Sequence, residues 1–176
     1  MQAVFQRAGG VSAIVGGVMR AAGSFAPAIL SPSVQAVLYF ATDIFLLLGV
    51  AGFWLKQRAS LGFVGALGLV VFVAGILVIR VTNGAEYQLG AAVALLGVTL
   101  YSAKTLTARS GAPFAPVAWL AALAFGVAGM LGFAPAAMML SAGVAFGMAF
   151  VAAGLETLGA THFGLVSPRS TSTRSI

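Results

Sequence analysis

The sequence predicts an all-α integral membrane protein, a polytopic bundle of five transmembrane helices preceded by an amphipathic N-terminal helix. Three observations lead to this fold class. Hydrophobic residues make up 61% of the 176 residues and only 7% are charged, whereas soluble domains carry about 25% charged residues. Apolar stretches recur at roughly the 20-residue length that crosses the hydrocarbon core of a bilayer. The 23 glycines suit helices that pack closely in lipid.

Residues 1–30 are expected to form an amphipathic helix and a linker. The apolar run 8–19 lies between Arg7 and Arg20 and is too short to span a bilayer. A helical projection separates an apolar face from a face of glycine and polar residues. The apolar face comprises Val4, Val11, Ile14, Val15, Val18 and Phe25, and the opposite face comprises Gln2, Gln6, Gly9, Gly16, Gly17, Arg20 and Ser24. We therefore expect a helix in the membrane interface; the alternative is a sixth, glycine-rich span.

Residues 31–156 contain the five predicted spans. Their bounds are 34–55, 61–79, 85–102, 117–133 and 136–155. The charged stretch 56–60 is predicted to be the first turn, and 104–116 a longer polar loop. Only Ala134 and Pro135 separate the last two spans, which predicts an antiparallel helical hairpin. Residues 157–176 are polar and without periodicity, and they are predicted to be a disordered tail.

The positions of lysine and arginine predict the orientation. With five spans, the C-terminal side carries Lys56, Arg58, Lys104, Arg109, Arg169 and Arg174, and the N-terminal side carries Arg7, Arg20 and Arg80. The positive-inside rule then predicts a cytoplasmic C-terminus, and we expect the protein in a bacterial inner membrane. If the N-terminal helix crosses, both ends become cytoplasmic.

The residue types also bear on chemistry and partners. The chain has no cysteine and one histidine, which excludes disulfides and thiolate metal sites and leaves no histidine pair for haem or zinc. We therefore expect no cofactor, no metal site and no enzymatic activity. The basic residues are scattered singly between apolar spans, so nucleic acid is not an expected partner. The expected partners are the lipid bilayer and either further copies of this chain or a larger membrane complex.

Asp43 is the strongest candidate for an intramembrane polar site. It is one of three acidic residues and lies in the middle of the first predicted span, where a charged carboxylate costs several kcal/mol. Tyr39 lies one turn before it and Thr42 directly before it, so the three form the candidate site. Because no opposite charge is expected at this depth, we predict a neutral carboxyl that anchors one helix to another. The alternative is a proton or solute site.

Glu86 has a capping interpretation. It follows Asn83 by three residues at the start of the third predicted span, which resembles a capping box, and Arg80 is close enough in sequence to pair with it. Glu156 and His162 follow the fifth span and are expected to be exposed.

Small residues spaced by four predict helix-packing faces. Gly90 and Ala94 form such a pair in the third span, and Gly143 and Gly147 in the fifth. These faces favour an accessory, assembly or scaffold subunit that packs against partner helices. The alternative is an oligomeric transporter or channel protomer that uses Asp43.

Overall fold

The fold is known from a computed structural model that describes residues 2–82, 85–108 and 113–159. These residues form α-helices connected by turns, and no strand occurs among them, so the all-α prediction is confirmed. The helices are α1 (Gln2–Gly23), α2 (Pro32–Val81), α3 (Tyr87–Ala108), α4 (Phe114–Met130) and α5 (Pro135–Thr157). Three of them, α2, α3 and α5, are long and apolar enough to cross a membrane, and α4 is apolar but shorter.

Helix α2 folds back on itself at Gly62. A straight helix of its 50 residues would measure about 75 Å, far more than the ~30 Å hydrocarbon core. Gly62 instead has φ 57° and ψ −167°, a combination that is essentially restricted to glycine. Arg80 contacts Asp43 across the break. The first limb (residues 32–61) and the second limb (residues 63–81) are therefore antiparallel.

The position of this break corrects the predicted first turn. Residues 56–60 are helical, because Lys, Gln, Arg and Ala all have favourable helix propensities and charge alone does not end a helix. The loop predicted at 104–116 is likewise shorter, since α3 continues to Ala108 and α4 begins at Phe114. The predicted tail 157–176 lies outside the described residues from residue 160 onward.

The helical segments form a closed antiparallel arrangement. Along the chain, α1 packs on the first limb of α2, the second limb packs on α3, α3 packs on α4, and α4 packs on α5. Helix α1 also packs lengthwise on α5, where Gly10 faces Gly154 and Gly17 faces Gly147. The N-terminal helix thus lies between two longer helices over its full length.

The glycine-rich face of α1 packs against its neighbouring helices, and its apolar face points outward. The residues predicted to form its polar face include Gly9, Gly16 and Gly17, and all three are buried against α2 or α5. The predicted apolar face points outward, and Val18, for example, is 54% exposed. Glycine has no side chain, so it permits the closest approach of two helices, and this outweighs its low hydrophobicity.

The centre of the bundle is filled by aromatic side chains. Phe53, Phe72, Trp119 and Phe150 are nearly inaccessible. Their ring centroids lie 5.1–6.3 Å apart where they meet, within the range of favourable edge-to-face and tilted contacts. These rings join both limbs of α2 to α4 and α5.

Candidate functional site

Asp43 is paired with Arg80. The Nε of Arg80 donates a hydrogen bond of 2.5 Å to Oδ2 of Asp43, and Nη2 contacts the same oxygen. The two side chains are 16% and 32% exposed, with Asp43 the more buried. The expectation that Asp43 has no opposite charge at its level is therefore wrong. A carboxylate with an adjacent guanidinium can remain ionised in a partly buried position.

The pair is missed by sequence reasoning because its register depends on where α2 bends. Asp43 lies 19 residues before Gly62 and Arg80 lies 18 residues after it, so an antiparallel hairpin centred on Gly62 brings them level. A turn at 56–60 would instead bring Arg80 level with residue 36, about two helical turns from Asp43. Arg80 is the penultimate residue of α2, so Asp43 is level with an end of the second limb and not with its middle.

Other basic and aromatic groups surround this ion pair. The Cζ atom of Arg80 lies 5.8 Å from the ring centroid of Phe40. Arg20 of α1 is near enough to interact electrostatically with Asp43, and its Nη2 donates to the hydroxyl of Tyr87 at 3.4 Å. Arg80 therefore binds the carboxylate directly, and Arg20 adds a second positive charge at this end of the bundle.

Tyr39 and Thr42 are engaged elsewhere. The hydroxyl of Tyr39 donates to the carbonyl oxygen of Gly23 at 3.0 Å, which fastens the end of α1 to the first limb of α2. The hydroxyl of Thr42 is buried and donates to the carbonyl oxygen of Leu38 at 2.7 Å. Asp43 thus has its charge partner on the second limb, and the hydroxyl of Tyr39 joins α1 to α2 instead of contacting Asp43.

Glu86 lies immediately before α3, which begins at Tyr87. Its backbone N–H donates to the hydroxyl of Thr82 at 3.3 Å, and its carbonyl oxygen accepts from the N–H of Gly90. Asn83, the other half of the predicted capping box, lies outside the described residues. Arg80, the predicted partner of Glu86, pairs with Asp43 instead.

A second polar cluster lies at the opposite end of the bundle. The hydroxyl of Tyr101 donates to Oε1 of Gln57 at 2.7 Å, and Lys56 Nζ donates to the backbone carbonyl of Glu156. Glu156 is only 9% exposed and is near enough to interact electrostatically with Tyr101. The expectation that Glu156 is exposed is wrong because α5 continues to Thr157. His162 lies outside the described residues.

Two buried polar atoms beside this cluster have no hydrogen-bond partner among the described residues. They are Oγ of Ser102 and Nε1 of Trp119. The Trp119 ring packs edge-on against Tyr101 and Phe150, with centroids 5.6 and 5.1 Å away. Shape complementarity of the rings thus holds Trp119 in place without a bond to its N–H.

The predicted small-residue pairs lie at two different helix contacts. Gly90 and Ala94 of α3 lie against Gly75 of α2, so a Cβ added at Gly75 would be 2.8 Å from Cα of Ala94. Gly143 and Gly147 of α5 face α1, the first at Ser24 and the second at Ala21. Both pairs therefore face helices of the same chain.

Within the described ranges, no group of three or more His, Cys, Asp or Glu side chains could hold a metal ion. Comparison of the chain with protein-family models, with curated proteins and with solved structures found no match.

Proposed function

We propose that this chain is a six-span integral membrane protein that acts as a non-catalytic accessory or assembly subunit. The observation that carries the proposal is the aromatic centre of the bundle. A path for ions or solutes needs polar groups or water along the interior, whereas Phe53, Phe72, Trp119 and Phe150 fill the space between the helices at close contact. The outer surface, by contrast, presents large apolar side chains on every helix and is available to lipid and partner helices.

The geometry of α1 and α2 supports a count of six spans. The two limbs of α2 account for two spans, and α1 adds another because its 22 residues measure about 33 Å and run alongside α5. An interfacial helix would lie across its neighbours instead of along them. The 17 residues of α4 reach the lower limit for a span.

The basic residues support a cytoplasmic position for the start of α1 and for the bend in α2, which lie at the same end of the bundle. Gln6 Nε2 donates to the carbonyl oxygen of Leu55 at 3.1 Å, so α1 begins at the end where the limbs of α2 meet. Among the described residues, this end carries Arg7, Lys56, Arg58 and Lys104, and the other end carries Arg20 and Arg80. The positive-inside rule assigns the first end to the cytoplasm, and Asp43 further offsets the charge of Arg80 at the second.

Cysteine labelling tests the number of spans. Because the sequence has no native cysteine, only the introduced cysteine reacts with the label. Ala3→Cys, Ser33→Cys and Ser60→Cys are introduced singly and treated with a membrane-impermeant maleimide in intact cells. With six spans, positions 3 and 60 are protected and position 33 is labelled. With five spans and an interfacial N-terminal helix, position 3 is labelled together with position 33, and this outcome contradicts the proposal.

Photocrosslinking tests the assembly role. A photoreactive benzoylphenylalanine replaces Phe125, which is exposed on α4, and for comparison Phe150, which is fully buried. An assembly subunit gives a discrete intermolecular protein adduct from position 125 and none from position 150. The yield of this adduct stays the same when the membrane is diluted with lipid before irradiation.

The transporter alternative rests on the Asp43–Arg80 pair, because ionisable groups within spans often mark transport paths. Purified protein in liposomes is compared with Asp43→Asn for proton and small-solute flux. The assembly role predicts no flux above empty liposomes for either protein. Flux that the parent supports and Asp43→Asn abolishes, with no adduct at position 125, establishes the transporter instead.

A further inference from the structure

An apolar groove runs along the outer side of α2, between its two limbs. Its volume is about 480 Å³. It exists because small side chains, Ala51 on one limb and Ala66 and Ala74 on the other, leave space between larger apolar neighbours. The remaining lining residues are Leu47, Val50, Trp54, Leu69, Val70, Val73 and Leu77.

The dimensions of the groove match one acyl chain. From Ala66 to Leu77 the second limb rises about 16 Å, which is close to half of the ~30 Å hydrocarbon core. An extended acyl chain is a narrow, flexible occupant that can follow this length, whereas a helix is ~10 Å in diameter.

The two ends of the groove differ in charge. The Asp43–Arg80 pair lies one turn beyond Leu47 and Leu77 on the same helix faces, so one end of the groove lies near a neutral ion pair. Arg58 lies one turn beyond Trp54 at the other end and is exposed. No carboxylate among the described residues forms a salt bridge with Arg58.

We infer that the α2 groove holds one acyl chain of an anionic phospholipid, whose phosphate binds Arg58. The chain enters at Trp54 and ends at the ion pair, so the headgroup lies at the end of the bundle with most of the basic residues. Trp54 is 41% exposed, at the depth where tryptophan packs against the headgroup boundary. The inference rests on the proposed membrane insertion and assigns a ligand that the assembly role does not require.

Native mass spectrometry of detergent-purified protein tests the inference, after exchange into mixed vesicles of equal parts phosphatidylglycerol and phosphatidylcholine. The parent retains one phosphatidylglycerol molecule. Ala74→Phe and Ala51→Phe, which fill the groove from opposite limbs, each lower lipid retention more than tenfold. Ala124→Phe adds the same volume to the exposed face of α4 and retains lipid as the parent does.

A charge substitution separates the headgroup contribution from the acyl-chain contribution. Arg58→Gln lowers the preference for phosphatidylglycerol over phosphatidylcholine about fivefold, which corresponds to the ~1 kcal/mol that one basic residue contributes near an anionic surface. Arg7→Gln, at the same end but on α1, leaves the preference unchanged.

Unchanged lipid retention in both groove-filling variants, each verified as folded by its melting temperature, overturns the inference. So does a dimer of the parent that Ala74→Phe dissociates, because a second copy then occupies the groove. A chain that stays in aqueous solution without detergent overturns the proposed membrane insertion itself. A detergent-extracted, folded protein without bound lipid overturns only the lipid site.

Discussion

The contact between α1 and α5 can be tested by adding a single methyl group at Gly17. An alanine Cβ at this position would lie 2.5 Å from the carbonyl oxygen of Gly147 and 2.8 Å from the backbone nitrogen of Val151. Carbon–oxygen contacts in proteins are about 3.3 Å or longer, so the added carbon is close to 1 Å too near. Both atoms belong to the α5 backbone, which cannot move aside as the tip of a side chain can.

The expected cost of Gly17→Ala follows from this clash. Overpacking typically costs about 1–3 kcal/mol, and a clash with backbone belongs at the upper end of that range. Replacing glycine by alanine within a helix returns about 1 kcal/mol. The net loss is therefore about 2 kcal/mol, which corresponds to a melting temperature lower by about 4–8 °C for a chain of this size.

Thermal unfolding in detergent, followed by circular dichroism, measures this loss. Gly126→Ala is the matched control, because Gly126 is also a buried helical glycine but its added Cβ would meet nothing nearer than Leu95 Cδ1 at 3.8 Å. Its melting temperature is expected to stay the same or rise by up to about 4 °C. Val18→Leu, on the outer face of α1, is expected to have no effect. If the melting temperature of Gly17→Ala equals that of Gly126→Ala, α1 does not pack closely against α5 at Gly17 and the reasoning fails.

Three further predictions concern the ion pair, the second polar cluster and the bend in α2. Asp43→Asn and Arg80→Gln should each destabilise the protein by about 1–3 kcal/mol, less than the 3–5 kcal/mol lost when a fully buried pair is broken. A double-mutant cycle in detergent should show that the two losses are coupled. Additive losses would mean that the two groups do not interact. Ser102→Ala should be neutral or slightly stabilising because the Ser102 hydroxyl has no hydrogen-bond partner among the described residues. Thr105→Val loses a hydrogen bond of 2.9 Å and should cost about 0.5–1.5 kcal/mol in melting experiments. Equal losses of stability in the two variants contradict this prediction. Gly62→Ala should cost about 1–3 kcal/mol because an alanine strains the backbone at the bend. A melting temperature equal to that of Gly126→Ala would be inconsistent with the observed backbone conformation of Gly62.

The existence of the helices could be predicted from the length and composition of the apolar stretches. Long apolar stretches must satisfy their backbone hydrogen bonds internally, so α2, α3 and α5 are recognisable from length and hydropathy alone. The ends of these helices were less predictable. Lys56 and Arg58 end an apolar stretch without ending a helix, and the true bend at Gly62 depends on a backbone conformation that the surrounding tertiary contacts select.

The candidate site was only partly predictable for the same reason. Asp43 is conspicuous in the sequence because a carboxylate among apolar residues is costly, but its partner depends on a register that shifts when the bend moves by a few residues. The sequence predicts that Glu156 is exposed because it follows an apolar stretch, whereas α5 continues past it and packs it against neighbouring helices. Both features depend on which helices lie side by side.

The sequence by itself determined the helical class, the apolar stretches long enough to cross a membrane, and the one carboxylate in the middle of such a stretch. Tertiary structure alone decided that α1 packs through its glycine face, that Arg80 pairs with Asp43, and that α2 leaves a groove between its limbs. The physical reason is that hydrophobicity and backbone hydrogen bonding act along the chain, whereas close approach of glycines and pairing of charges depend on contacts between distant segments.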